Sequence, residues 1–316
     1  MGKLAIVFPG QGAQFVGMGR SFYDHSVSGK SIFEAASKAL SKDMVELCFF
    51  SSDETLKMTE NTQPSILTVS YMIYQSLVEN GVQADGFAGL SLGEFTALVA
   101  GGALNFEDAV QIVRSRGQFM QEEVPAGKGA MAAILGMDRE PIESTCKELS
   151  SEGIVSVANY NCPQQVVIAG ETALVEKAVV LLKEKGAKKA VMLPVSAPFH
   201  TKMLVGAGEK LRDVMKQYDV NPLKQTVYTN VTAKAYGQAD NISEMLVKQV
   251  SESVLFEDQI RNMIEDGFDT FIEVGPGSTL TKFIKKISKD VKLMTIETVE
   301  DLDLILDTLG KRENTA

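Results

Sequence analysis

A chain of 316 residues that is 45% hydrophobic and 23% charged is long enough to bury a large core, as one big domain or two unequal ones. Its net charge of -10 leaves no dominant basic surface and argues against a nucleic-acid binder. No stretch approaches the roughly 18 apolar residues of a membrane span, and Leu4 to Phe8 is broken at once by Pro9, so the chain reads as cytoplasmic and not membrane-inserted.

Lys3 to Phe8 reads as a buried parallel strand that ends in Pro9-Gly10-Gln11-Gly12. Phosphate loops do not fit there: a dinucleotide fingerprint needs glycine where Phe15 stands, and a P-loop needs lysine where Met18 stands. What remains is a strand-end loop whose amides suit an oxyanion. Helical periodicity follows over Ser31 to Leu40 and Met44 to Phe50, then over Ser65 to Glu79, with Pro64 just inside the start and Gly81 just past the end. Gly86-Phe87-Ala88 and Gly89-Leu90-Ser91-Leu92-Gly93 then lead into an apolar helix. Strand, tight turn and helix make a nucleophile elbow with Ser91 at its apex, where crowding suits glycine on both flanks; a plain glycine-containing turn is the alternative.

Asn105 and Asp108 predict the start of a helix through Glu123, on which Arg116 and Met120 share a face with Ile112 and Val113. An arginine on an apolar stripe needs a partner; a snorkelling or ion-paired arginine is the competing reading. From Gly129 to Val195 the order is strand (Ala130 to Leu135), helix (Glu140 to Leu149), two strands (Val155 to Tyr160, Gln165 to Ala169) joined at Asn161-Cys162-Pro163, helix (Thr172 to Lys185) and strand (Ala190 to Val195). This βαββαβ order is the ferredoxin-like plan. The fold class expected is therefore α/β: an α/β hydrolase-like large domain with a parallel sheet, residues 1–127 and 197–316, and an inserted ferredoxin-like small domain, residues 128–196. The large domain resumes with helices over Gly206 to Lys216, Ile242 to Gln249, Phe256 to Asp266, Thr279 to Ser288 and Asp301 to Gly310. Thr226 to Asn230, Thr270 to Val274 and Lys292 to Ile296 read as strands among them.

A serine nucleophile needs a base, and the chain has two histidines. His25 sits in a polar, surface-like stretch; His200, between two prolines and the next helix, is the better candidate, with a backbone carbonyl in place of an acidic third member. Cys48, Cys146 and Cys162 are odd in number and lack CxxC spacing, which reads as reduced, buried thiols, with no disulfide framework or zinc site.

Pro9-Gly10-Gln11-Gly12-Ala13-Gln14, Gly89-Leu90-Ser91-Leu92-Gly93-Glu94, Arg116-Gly117, the hairpin from Asn159-Tyr160-Asn161 to Gly170, Ala197-Pro198-Phe199-His200, Thr229-Asn230-Val231 and Glu273-Val274-Gly275-Pro276-Gly277 stand in this order along nearly the whole chain. Together they resemble the malonyl-CoA:acyl carrier protein transacylases of bacterial fatty acid synthesis. The resemblance implies a ping-pong acyltransferase without a cofactor. Ser91 would carry a malonyl ester, His200 act as base, and the amides of Gln11 and Leu92 hold the oxyanion. It further implies that Arg116 clamps the substrate carboxylate, that the Gln249 carbonyl orients His200, and that Gln63 and Asn159 line the substrate pocket with Met120 and Phe199. Phe199 would narrow the space beside the malonyl α-carbon. Many family members have histidine just before the nucleophile, where this chain has Leu90, a position that needs only to tolerate the turn.

The partner implied is an acidic acyl carrier protein, docking near Lys282, Lys285, Lys286 and Lys289 or near Lys188 and Lys189, on an enzyme expected to be a monomer. A solvated basic face is the competing reading of those lysines. Two other functions stay open at this level: a serine thioesterase or esterase, and malonyl supply to a polyketide pathway. A carrier- or acyl-CoA-binding module without activity is a third.

Overall fold

The structure, a computed structural model, describes residues 2–195 and 197–313, with side chains to residue 310. Nine strands lie among the described residues: β1 (Lys3–Phe8), β2 (Gly86–Gly89), β3 (Gly129–Leu135), β4 (Val155–Cys162), β5 (Gln165–Glu171), β6 (Lys189–Met192), β7 (Thr226–Val227), β8 (Phe268–Val274) and β9 (Lys292–Ile296). They form two sheets, in the two compact units into which the chain divides.

The first unit takes in the described residues up to Arg114, Asp219–Tyr228 and those from Met263 onward. Its five-stranded sheet has the order β7-β2-β1-β8-β9, and every neighbouring pair is parallel. Parallel strands need crossover connections that cover both faces, so the central strand is a continuous apolar run, and Ala5 to Phe8 are all buried. β1 pairs with β2 on one side (Phe8↔Gly89) and with β8 on the other (Val7↔Glu273). This register brings the carboxyl ends of three strands together, where α/β sheets collect ligand-binding loops: the Gln11 loop, the Ser91 turn and the Gly275 turn.

The second unit comprises Ser115–Tyr218 and Thr229–Asn262. Its four-stranded sheet has the order β4-β5-β3-β6, antiparallel throughout, which is the ferredoxin-like strand order. Helices Arg139–Leu149 and Thr172–Glu184 supply Ile142, Val175 and Leu182 to a core completed by Ile134, Val157 and Ile168. All four strands and both helices fall within the expected segment 128–196, whose last residue, Ser196, lies outside the described residues. The compact unit is larger, and within it residues 253–254 attach to the edge of β4. Tyr160 N donates to Val254 O (2.9 Å), Val254 N to Ala158 O (2.8 Å) and Ser253 Oγ to Val157 O (2.6 Å). Arg139 adds ion pairs to Glu257 and Asp258 and stacks over Tyr160.

Several boundaries differ from the sequence reading, four of them for an identifiable local reason. Helix Thr59–Glu79 opens well before Pro64, which sits in its second turn. The ring deletes only the bond that Pro64 N would have made to Glu60, near an end where few intrahelical bonds exist to lose. The hairpin turn is Pro163-Gln164, not Asn161 to Pro163: Cys162 pairs with Gln165, and Gln164 takes φ 59° to close the two-residue loop. β7 stops at Val227 rather than Asn230 because the chain folds back at Thr229, whose O accepts from Ala233 N and whose Oγ1 accepts from Val231 N. β6 ends at Met192, short of Val195, where Pro194 has no N–H to give a ladder.

Glu273, at the end of β8, is fully buried yet hydrogen-bonded. Its carboxylate accepts from Leu280 N (3.0 Å), Thr281 N (2.7 Å) and Thr281 Oγ1 (2.7 Å), at the start of helix Thr279–Ile287. A negative charge at first-turn amides meets the positive end of the helix dipole, which offsets part of the cost of burying it; burial still holds the carboxyl above the usual carboxylate range. Glu273→Ala is expected to lose about 2 to 4 kcal/mol in urea denaturation, and Glu273→Gln less; an unchanged midpoint would remove this account.

Candidate active site

In the first unit, β2 runs directly into helix Leu92–Ala100, and Ser91 at the junction has φ 52° and ψ -104°, far from any relaxed region for a residue with a side chain. The sterics of the turn show why glycine flanks it. A Cβ on Gly89 would lie 2.0 Å from the carbonyl carbon of Gly93, and one on Gly93 would lie 2.1 Å from Phe8 O. Backbone bonds from Leu90 N to Phe8 O (3.1 Å) and from Gly93 N to Leu90 O (2.9 Å) hold the turn, so Leu90 contributes through its main chain. Ser91 is half-buried.

Leu92 opens the helix, and its N–H is among the first-turn donors that an α-helix leaves without an intrahelical acceptor. In the Gln11 loop, Gly12 N donates to Gln14 Oε1 (2.7 Å). The Gln11 amide has no acceptor among the described residues. Gln11 Nε2 donates to Thr59 Oγ1 (3.3 Å), tying the loop to the helix that carries the buried Gln63. Gln11, Gln63, Ser91 and Leu92 thus share the first unit; the other site candidates belong to the second.

In the second unit His200 is buried and adopts φ 60°, in a turn braced by Thr201 Oγ1 donating to Pro198 O (2.8 Å). Its Nδ1 lies 2.7 Å from Gln249 O. A carbonyl can only accept, so Nδ1 carries the proton and Nε2 the basic lone pair. Burial, and after it the charge of Arg116, push the imidazole down from 6.5 to about 3, against backbone hydrogen bonds with Gln249 and Glu252 that raise it. At that value the ring is neutral at physiological pH. His200 also borders a cavity of about 730 Å³ lined by Tyr160, Val231 and Glu252.

Arg116 is only 1% exposed, on helix Phe106–Glu122, and its Nη2 donates to Gln249 Oε1 (2.9 Å). Gln249 Nε2 donates to Asn230 Oδ1 (3.2 Å). One residue thus holds both groups: Gln249 serves His200 with its carbonyl and Arg116 with its side chain. Met120 and Phe199 are buried, and Asn159 lies on β4 opposite Val254. Asn230, quoted in the sequence only as part of the Thr229-Asn230-Val231 motif and given no role there, and Gln259, not singled out, join this network, and both are fully buried. For Gln259 the available signal was an amide among the buried Phe256, Ile260 and Met263 of one helix.

Elsewhere, His25 is exposed, and the three cysteines are free and buried. Lys282, Lys285, Lys286 and Lys289 on and after helix Thr279–Ile287 are exposed, as are Lys188 and Lys189. Among the described residues no helix is long and apolar enough to cross a membrane, and no group of three or more His, Cys, Asp or Glu is placed to hold a metal ion.

Residues 5–303 match the acyl transferase domain family. The malonyl CoA-acyl carrier protein transacylase of Bacillus subtilis (strain 168) is 44% identical over 315 residues, covering 99% of each chain. The solved malonyl CoA-acyl carrier protein transacylase of Clostridium perfringens superposes with a TM-score of 0.96 at 47% identity, covering 98% of each chain. A type II PKS acyl-carrier protein in complex with its malonyl-transacylase gives a TM-score of 0.94 at 36% identity, covering 97% of this chain and 99% of that chain. With its parallel and antiparallel sheets and these relatives, the chain belongs to the acyl transferase domain family, alongside the malonyl CoA-acyl carrier protein transacylases, and is an acyltransferase.

Proposed function

We propose that this acyltransferase moves a malonyl group from malonyl-CoA to the phosphopantetheine thiol of an acyl carrier protein, through an ester on Ser91, in the service of fatty acid synthesis. His200 Nε2 takes the Ser91 proton as Oγ attacks the thioester carbonyl. The amides of Gln11 and Leu92 stabilise the oxyanion. The C–S bond breaks, and the leaving CoA thiolate receives the proton from His200. In the second half the carrier thiol gives its proton to His200, attacks the ester and returns the oxygen to Ser91 as a hydroxyl. Arg116 grips the free malonyl carboxylate, and Gln63, Met120, Asn159 and Phe199 are the further substrate-binding residues of this proposal.

The observation that carries this reading is the double hold of Gln249, which sets a neutral base and a buried cation on one residue. A hydrolase of simple acyl esters needs the first and has no use for the second. The names of the relatives, malonyl CoA-acyl carrier protein transacylases, support the same substrates.

Mixing the protein with malonyl-CoA and recording intact and peptide masses tests the reading. A malonyl adduct on Ser91 that persists in water and disappears on adding carrier is expected, and Ser91→Ala forms none. Arg116→Ala is expected to lower malonyl kcat/KM about a hundredfold or more while acetyl-CoA becomes the better donor. No adduct would eliminate the transferase route, and rapid hydrolysis of the adduct would favour a thioesterase.

The depressed His200 fixes the sign of a pH effect. The neutral imidazole is the working form, and kcat/KM reports groups of the free enzyme. Acylation kcat/KM is therefore expected to stay level from about pH 8 to about pH 5, because protonation sets in only toward the lowered value. A decline centred near 6.5 would mean that the ring is solvated.

The basic helix face at Lys282, Lys285, Lys286 and Lys289 is proposed to dock the acidic carrier to a monomeric enzyme, with Lys188 and Lys189 as the second candidate surface. Lys285→Glu with Lys286→Glu is expected to raise KM for carrier about tenfold and leave KM for malonyl-CoA unchanged. Equal carrier KM values in variant and wild type would exclude that face.

A further inference from the structure

Arg116, Gln249, Asn230 and Gln259 form a chain of side chains of which none is more than 1% exposed. Arg116 Nη2 donates to Gln249 Oε1 at 2.9 Å, Gln249 Nε2 to Asn230 Oδ1 at 3.2 Å, and Asn230 Nδ2 to Gln259 Oε1 at 3.5 Å. A guanidinium has donors and no acceptor, so the direction of the chain is set at its Arg116 end. Each amide turns its oxygen toward Arg116 and its NH2 away. A flipped Gln249 would point NH2 at the guanidinium, and Asn230 Oδ1 opposes the flip by accepting that NH2. Asn230 is itself anchored by the main chain. Its carbonyl accepts from Leu255 N (2.9 Å), and Leu255 O accepts from Gln259 N (2.9 Å), which makes residues 230, 255 and 259 one knot.

The neutrality of the chain matters as much as its direction. An amide oxygen orients a guanidinium without setting a negative charge beside it. A carboxylate in the same place would orient it equally well and compete with an anionic substrate.

We propose that Asn230 and Gln259 are positioning residues that set substrate specificity: by locking the Gln249 amide they aim Arg116 at a substrate carboxylate. This rests on the malonyl-transfer reading of the same site. The two functions of Gln249 are separable, because the side chain serves Arg116 and the backbone carbonyl serves His200. Disturbing the amide therefore leaves the base in place.

The experiment compares steady-state kinetics with malonyl-CoA against acylation by p-nitrophenyl acetate, which offers no carboxylate to be aimed at. Asn230→Leu is expected to raise KM for malonyl-CoA about tenfold with kcat within about twofold, and to leave the p-nitrophenyl acetate rate unchanged. Asn230→Asp keeps an acceptor for Gln249 Nε2 but adds a buried negative charge to the chain, so KM for malonyl-CoA is expected to stay raised about tenfold with the p-nitrophenyl acetate rate unchanged. Gln259→Leu removes only the far end and should raise KM about threefold, which keeps the test decisive if Asn230→Leu does not fold. Equal losses with both substrates, or an unchanged malonyl KM in Gln259→Leu, would overturn the proposal alone. A wild-type protein that forms no malonyl ester would overturn the malonyl reading, and this proposal with it.

Discussion

A guanidinium taken out of water must keep hydrogen-bond acceptors around it, since an ion stripped of solvent costs several kcal/mol even after relaxation. For Arg116 the acceptor contributed by helix Ile242–Ser251 is the side chain of Gln249. The main chain of that same residue receives the His200 ring, so the placement of a cation and of a base depends on one helical position. The electrostatics follow from the packing: a buried positive charge acts through a medium of low dielectric, and its field helps hold the imidazole neutral.

Backbone strain is the second constraint, and it is distributed between the units. Ser91 and His200 both have positive φ, a conformation that L-residues accept only where surrounding structure over-determines it. At Ser91 the restraint is the parallel sheet, with Phe8 O holding Leu90 N and Gly93 fitted against Phe8 without room for a methyl group. At His200 it is the bracing of Pro198 O by Thr201 and the bond from the ring to Gln249. Strain of this kind is held in place at two of the candidate site residues.

Much of the architecture was legible in the residues. The apolar run Lys3 to Phe8, the glycines either side of Ser91 and the alternating strands after Gly129 are local signals, and β1, the elbow and the βαββαβ order all occur where those signals place them. The misplacements have separate causes. By residue type Pro64 marks a helix start, as prolines usually do, but the helix opens at Thr59, and the residues on either side of Pro64 are buried. The attachment of residues 253–254 to the edge of β4 joins positions nearly a hundred apart, and no local pattern announces it. The second unit accordingly extends beyond the inserted segment that periodicity alone outlines.

The sequence by itself determined the type of chemistry available: a serine in a turn that only glycine permits, one histidine outside a polar surface stretch, and one arginine on an apolar helical face. Those assignments depend on residue type and near-neighbour spacing, which sequence carries in full. Only the tertiary structure decided that the acceptor for Arg116 is Gln249, that Asn230 and Gln259 extend the chain behind it, and that the His200 proton sits on Nδ1. Hydrogen-bond direction is a property of which donors meet which acceptors. Residues 116, 230, 249 and 259 meet through packing of separate helices and loops, which no spacing along the chain encodes.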